Sequence, residues 1–199
     1  MITYKTIIFA CWVIFLLVWA ISAFNVKPDV REARGRIWRP FWLAALVGAI
    51  SLGVVAVRAA KGTAHVTHFG LPFAHGIFRE STGRGWAAAA LSVLGVSIAV
   101  WARAHLGRNW SAQPAVKVHH ELVTTGPYAY VRHPIYTGLT LMALGNALTG
   151  SIRGICVFLV AGLLFVSRIG REERIMLNLF PEAYPAYQVR TKKLIPWVW

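Results

Sequence analysis

Residues 134–169 read PIYTGLTLMALGNAL (134–148), TGS (149–151) and IRGICVFLVAGLLFVSRI (152–169). Two apolar runs separated by three turn-forming residues predict an antiparallel helical pair. A bilayer core needs about 20 mainly apolar residues per helix. The first of these runs is short for a full crossing, so it is expected to tilt, to thin the membrane locally, or to sit partly inside a protein cavity. Working outward, three further apolar runs precede the pair: Tyr4 to Phe24, Phe41 to Val57, and Trp86 to Ala102. The first exceeds a signal-peptide core and is followed by Asn25-Val26-Lys27-Pro28 rather than a small-residue cleavage pattern, which favours a retained span. The third is rich in Ala and Gly, residues that let membrane helices approach closely. The expected fold is therefore all-α, a polytopic integral membrane protein of about five transmembrane helices. No internal repeat or low-complexity linker divides the chain, so residues 1–199 form a single membrane domain.

Composition agrees with that reading. Of 199 residues 57% are hydrophobic and only 14% charged, and the mean hydropathy is +0.55, too apolar for an ordinary soluble domain. The formal charge of +14 raises the question of nucleic acid, but the basic residues lie between apolar runs, where they are attracted to anionic leaflets. Nucleic-acid binding is therefore not expected. The two cysteines, Cys11 and Cys156, both fall inside apolar runs, which argues against a disulfide framework. His65, His68 and His75 are irregularly spaced without an accompanying Cys or acid, so no metal site is expected.

Five crossings put the ends of the chain on opposite sides. The segments 25–40, 103–132 and 168–199 hold 15 of the 21 Lys and Arg. By the positive-inside rule these segments are expected in the cytoplasm and the N-terminus outside. The preponderance of Arg over Lys and the Ala-rich helices suit a bacterial inner membrane.

The unusual polar chemistry gathers on that cytoplasmic side. Residues 106–138 read LGRNWSAQPAVKVHHELVTTGPYAYVRHPIYTG. Gly126-Pro127 marks a turn, and Pro134 suits the first position of a helix. Arg132 and His133 then stand at the helix mouth, where N–H groups favour anions. A basic anchor alone does not explain why His120, Tyr128, Tyr130, His133 and Tyr136 crowd the same stretch. Past the fifth run come Arg168, Arg171, Glu172, Glu173, Phe180-Pro181, Tyr184, Tyr187 and Arg190. Arg168 and Glu172 are i and i+4 on a continuing helix and share a face. Both clusters converge beside the short helical pair, which describes a pocket with a lipid-facing wall.

His120-x-Leu122, Gly126-Pro127-Tyr128, Arg132-His133-Pro134-x-Tyr136-x-Gly138, Glu172-Glu173 and Phe180-x-x-x-Tyr184-x-x-Tyr187 together resemble the isoprenylcysteine carboxyl methyltransferase family of integral membrane enzymes. The resemblance covers roughly residues 104–199, and residues 1–103 match only in hydropathy. It implies N-terminal helices over 1–103 and a cytoplasmic cofactor-binding and catalytic region over 104–199. It further implies S-adenosylmethionine as cofactor, held by Gln113, by His120, Glu121, Leu122 and Val123, by Tyr128, by His133, Pro134, Ile135 and Tyr136, and by Glu172. Arg168 would contact the substrate and, with Glu172, make up the catalytic pair.

The chemistry of these side chains suits that cofactor. Glu172 can pair with an ammonium, His133 and helix N–H groups can meet a carboxylate, and tyrosine rings can contact a sulfonium or adenine. No G-x-G-x-x-G fingerprint stands in the chain, so the usual soluble nucleotide pocket is not its template. The expected acceptor is amphipathic and partly dissolved in the lipid bilayer, a prenylated or lipid-like molecule. Carboxyl methylation of an isoprenylcysteine leads the expectation. Methylation of a phospholipid amine or a small thiol, an NADPH-dependent reduction like that of sterol reductases, and a non-catalytic membrane role stay open on the sequence alone.

Overall fold

The computed structural model describes residues 2–22, 81–110 and 121–199. Among them run five α-helices: α1 (Tyr4–Ser22), α2 (Thr82–Leu106), α3 (Pro134–Leu148), α4 (Ile152–Leu179) and α5 (Ala183–Arg190). Helices α1 to α4 correspond to the first, third, fourth and fifth apolar runs. The expected second run, Phe41 to Val57, and His65, His68 and His75 lie outside the described residues. Among the described residues three helices are long and apolar enough to cross a membrane, namely α1, α2 with its 3-10 extension to Asn109, and α4.

Small side chains set the packing. Gly85, Ala88, Ser92, Gly95, Ala99 and Ala102 recur at alternating steps of three and four along α2, and all are buried. Such a stripe offers no driving force in lipid by hydrophobicity, but it lets two backbones close together and gain dispersion contact. Helix α3 answers with Gly138, Met142 and Gly145. A Cβ on Gly95 would lie 2.5 Å from the Gly138 carbonyl oxygen, and one on Gly145 would lie 2.7 Å from the Ala88 carbonyl oxygen. Met142 is fully buried and joins Cys11, Phe15, Val96 and Ala99 in the core. At 15 residues α3 is only about 22 Å long, yet no residue of it is exposed. That agrees with the expectation that it sits partly inside the protein.

Helix α1 runs parallel to α2. Tyr4 lies against Gly85 at one end. At the other, the buried Arg103 donates through Nη2 to the Ser22 carbonyl and through Nη1 to that of Gly107, each at 2.7 Å. Parallel pairing is what five crossings require of the first and third. Arg103 also lies 4.7 Å from the Trp110 ring, a cation–π contact that shelters its charge.

Helix α4 starts sharply. Gly150 takes a positive φ of 85°, and Ser151 caps the new helix by accepting from the Gly154 N–H at 3.1 Å. Along its apolar part Val157, Leu159, Val160, Leu163, Leu164 and Val166 are all at least half exposed, a surface suited to lipid tails. The apolar run ends at Ile169 and the helix continues unbroken to Leu179, as the expected continuing helix requires. At 28 residues it is about 42 Å long, longer than a bilayer core of about 30 Å. The excess of about 12 Å is its last two turns, which begin at Glu172 and Glu173, with Arg168 one turn before them.

Candidate functional site: a carboxylate pair at the mouth of α3

Pro134 opens α3 at its first position, as expected from its missing N–H. Upstream, Gly126 has a φ of 60° and begins a 3-10 turn over Gly126–Ala129. That turn delivers Arg132 and His133 to the helix mouth, opposite the projecting turns of α4.

Glu172 is the hub. Its Oε1 accepts from the Tyr136 hydroxyl at 2.6 Å and from Arg168 Nε at 2.8 Å. Its Oε2 lies 3.6 Å from His133 Nδ1. The i, i+4 spacing of Arg168 and Glu172 thus gives the shared face expected of it. The Tyr136 ring stacks between His133 (centroids 5.7 Å apart) and Phe165 (5.0 Å). The Arg168 guanidinium stands 6.0 Å from the Tyr136 centroid.

Beside this hub lies a second, tighter pairing. Glu173 Oε1 accepts from Arg132 Nε at 2.7 Å, with both side chains largely buried. Arg132 Nη1 also donates to the carbonyls of Gln188 and Thr191. The His133 ring is therefore placed between two acids, its Nε2 3.5 Å from Glu173 Oε1. That nitrogen is buried and makes no hydrogen bond within the protein. Buried polar atoms are rarely left so without a purpose.

Segment 191–199 closes the arrangement. Val131 and Lys192 form a parallel bridge, the Arg132 N–H donates to the Lys192 carbonyl at 2.7 Å and the His133 N–H to the Lys193 carbonyl at 3.0 Å. One of the N–H groups expected to receive an anion, that of His133, is thus already engaged. Thr137 Oγ1 donates to the Leu194 carbonyl at 2.7 Å.

Of the residues expected in the site, His133, Pro134, Tyr136, Arg168 and Glu172 come together here, and Ile135 follows on the first turn of α3. Tyr128 is buried nearby; its carbonyl accepts from the Tyr187 hydroxyl at 2.6 Å. Burial, with Tyr187 and the Glu172 charge adding to it, pushes the Tyr128 hydroxyl well above its ordinary value. Burial likewise pushes Tyr187 up to about 12. Both therefore stay neutral donors at physiological pH. Glu121 is exposed and accepts weakly from Asn109 Nδ2 at 3.4 Å, while Leu122 and Val123 are half-buried. Gln113 and His120 lie outside the described residues. Sequence reasoning noted Arg132 and Glu173 but gave neither a role, and it assigned nothing to segment 191–194. The available signal for the ion pair was two adjacent acids one of which had no partner at helical spacing.

The donor set fits S-adenosylmethionine. An acid for an ammonium, a guanidinium one turn away, a buried imidazole and a stacked aromatic ring are the groups its zwitterionic end and sulfonium call for.

Residues 88–178 match the model of the isoprenylcysteine carboxyl methyltransferase family. The protein-S-isoprenylcysteine O-methyltransferase of Schizosaccharomyces pombe is 31% identical over 168 residues, covering 79% of this chain and 67% of the yeast protein. A cobalt-zinc-cadmium resistance protein of Cupriavidus metallidurans is 36% identical over 109 residues, 53% of this chain and 48% of that protein. The solved structure of a eukaryotic intramembrane Ras methyltransferase superposes with a TM-score of 0.60 at 21% identity, covering 98% of this chain and 65% of that one. The likeness of folds includes the helices preceding residue 104, and the alignment with the yeast protein, at 79% of this chain, also reaches into them, so the match there is more than the hydropathy alone that was expected. On these matches, the chain belongs to the isoprenylcysteine carboxyl methyltransferase family, a family of membrane methyltransferases.

Proposed function

We propose that this chain transfers a methyl group from S-adenosylmethionine to the carboxylate of an isoprenylcysteine-type, membrane-dissolved acceptor. The observation that carries the reading is the Glu172 hub, which ties Arg168, Tyr136 and His133 from two helices at the edge of the apolar zone. The names of the relatives favour none of the alternatives: phospholipid or thiol methylation, NADPH-dependent reduction, or a non-catalytic role. The chain spans about two thirds of the yeast relative and about half of the bacterial one, so the acceptor is assigned as a class.

Glu172, His133 and Tyr136 would hold the cofactor's amino-acid end and sulfonium, with Tyr128, Glu121, Leu122, Val123, Pro134 and Ile135, and with Gln113 and His120, lining the remainder. When bound, the cofactor supplies an electrophilic methyl carbon on a cationic sulfur. The acceptor carboxylate is already anionic, so no side chain need remove a proton. What the protein contributes is alignment and exclusion of water. Arg168, held by Glu172, presents a planar guanidinium suited to orienting that carboxylate.

This division of labour has a measurable consequence. Arg168→Ala is expected to lower methyl transfer to a small prenyl-thio acid by tenfold to a hundredfold, about 1.5–3 kcal/mol, with a much smaller loss of cofactor affinity. Lysine should restore part of the rate, since it keeps the charge without the fork. Equal losses of rate and cofactor affinity would remove the acceptor role from Arg168.

The same reading places residues 103–132 and 168–199 in the cytoplasm, where the cofactor is made, and the N-terminus outside, in a bacterial inner membrane. Ala186 is exposed on α5, so Ala186→Cys reports its side directly. An impermeant thiol reagent added to intact cells should leave this cysteine unlabelled until the membrane is opened; labelling from outside would reverse the orientation.

A further inference from the structure

Residues Leu194–Trp199 fold into a closed turn whose polar backbone points inward and whose apolar side chains point outward. The N–H groups of Leu194 and Ile195 both donate to the Trp199 carbonyl at 2.7 Å, and those of Val198 and Trp199 both donate to the Ile195 carbonyl at 3.1 Å. The Leu194 carbonyl is taken by Thr137. Trp197 holds a φ of 63°, a left-handed conformation that a bulky residue rarely adopts. The result is a knuckle with Trp197 86%, Val198 72% and Ile195 53% exposed. A turn in water has no need to satisfy its own backbone while presenting its largest apolar side chains, but a turn dipping into lipid needs both. Thr137 fixes the knuckle at the first turn of α3, where the apolar run begins. Exposed Arg190 and Lys192 stand just upstream in the chain, and α4 carries exposed Arg171 and Arg174. Tryptophan beside Lys and Arg is the composition of the headgroup region of an anionic leaflet.

We propose that the knuckle Ile195-Pro196-Trp197-Val198 seats in the headgroup region of an anionic leaflet and thereby holds segment 191–194 against the backbone of Arg132 and His133. Detachment from the membrane would free the amides of those two residues and loosen the mouth of α3. The membrane-seating step stands on the geometry alone; its effect on turnover rests on the methyltransferase reading.

The test uses the full chain in lipid nanodiscs containing phosphatidylglycerol. An environment-sensitive fluorophore is attached to Val198→Cys in a Cys156→Ser background, Cys11 being buried. Its emission should be blue-shifted and quenched by nitroxide lipids labelled at the headgroup. Water-like emission, or a blue shift without lipid quenching as expected for contact with a second copy, would overturn the seating. In the double variant Trp197→Ser/Val198→Ser, amide hydrogen exchange at Arg132 and His133 should quicken at least tenfold, while the Met142 amide within the α2–α3 contact stays protected. Unchanged exchange at Arg132 and His133 would overturn the coupling. Should the double variant expose Met142 as well, the comparison is made on the unmodified chain in phosphatidylglycerol and in detergent, where equal protection of Arg132 and His133 would overturn it too. None of these readouts requires methyl transfer, so they separate this inference from the proposed activity.

Discussion

Arg132→Ala is expected to destabilise the protein by about 3–5 kcal/mol, the usual loss when one partner of a buried ion pair is removed. The Arg132 and Glu173 side chains are only 7% and 11% exposed, so the stranded carboxylate gains little from water. The remaining nitrogens beside Glu173, Lys193 Nζ at 3.8 Å and the His133 ring at 3.5 Å, are too distant to replace a 2.7 Å charge-assisted bond. The Gln188 and Thr191 carbonyls lose their donor at the same time, leaving the Thr191 hydroxyl bond to the Tyr187 carbonyl at the end of α5. The check is thermal unfolding of single and double variants in one detergent. Arg132→Met combined with Glu173→Gln should cost clearly less than the two single changes added together, because the double change leaves no unpaired buried charge. Strict additivity would mean that the two residues act independently.

A second large effect is expected at the helix contact. Gly138→Leu should destabilise by about 3 kcal/mol, the upper part of the range for overpacking, and should lower the yield of folded protein. A Cβ at Gly138 would run into the Gly95 carbonyl oxygen and the Ala99 backbone. Backbone in a packed helix cannot swing aside as a side chain can. Gly162→Leu in α4 makes the same gain in helix propensity, yet a Cβ there meets nothing within 4 Å. It should leave stability unchanged or slightly improved. Comparing unfolding temperatures of the two variants isolates packing from propensity. Equal tolerance would show that α2 and α3 do not pack through glycine.

What was legible in the sequence was local. Pro134 marked the first residue of α3, because proline there costs no hydrogen bond and the preceding Gly126-Pro127 had already turned the chain. The short connection Thr149-Gly150-Ser151 gave the α3–α4 hairpin for similar reasons, with glycine for the positive φ and serine for the cap. Arg168 and Glu172 were legible as partners through helical spacing. What stayed hidden depends on contacts distant in sequence. Arg132 and Glu173 are separated by 41 residues, and no spacing rule pairs them. Tyr136 completes the Glu172 hub only because α3 and α4 pack side by side. Segment 191–194 joins the site largely through its backbone carbonyls, whose donors lie about 60 residues earlier in the chain. Arg103 counted only as one of the basic residues of segment 103–132, and its role in holding α1 to α2 needed the Ser22 carbonyl beside it.

The central claim is that the Glu172 hub receives S-adenosylmethionine, and calorimetric titration of the purified protein tests it most directly. S-adenosylmethionine should bind with a dissociation constant in the micromolar range, about 8 kcal/mol, and Glu172→Gln should weaken it at least tenfold, while NADPH gives no binding heat. Affinity unchanged by Glu172→Gln, or binding of NADPH in place of S-adenosylmethionine, would contradict the account.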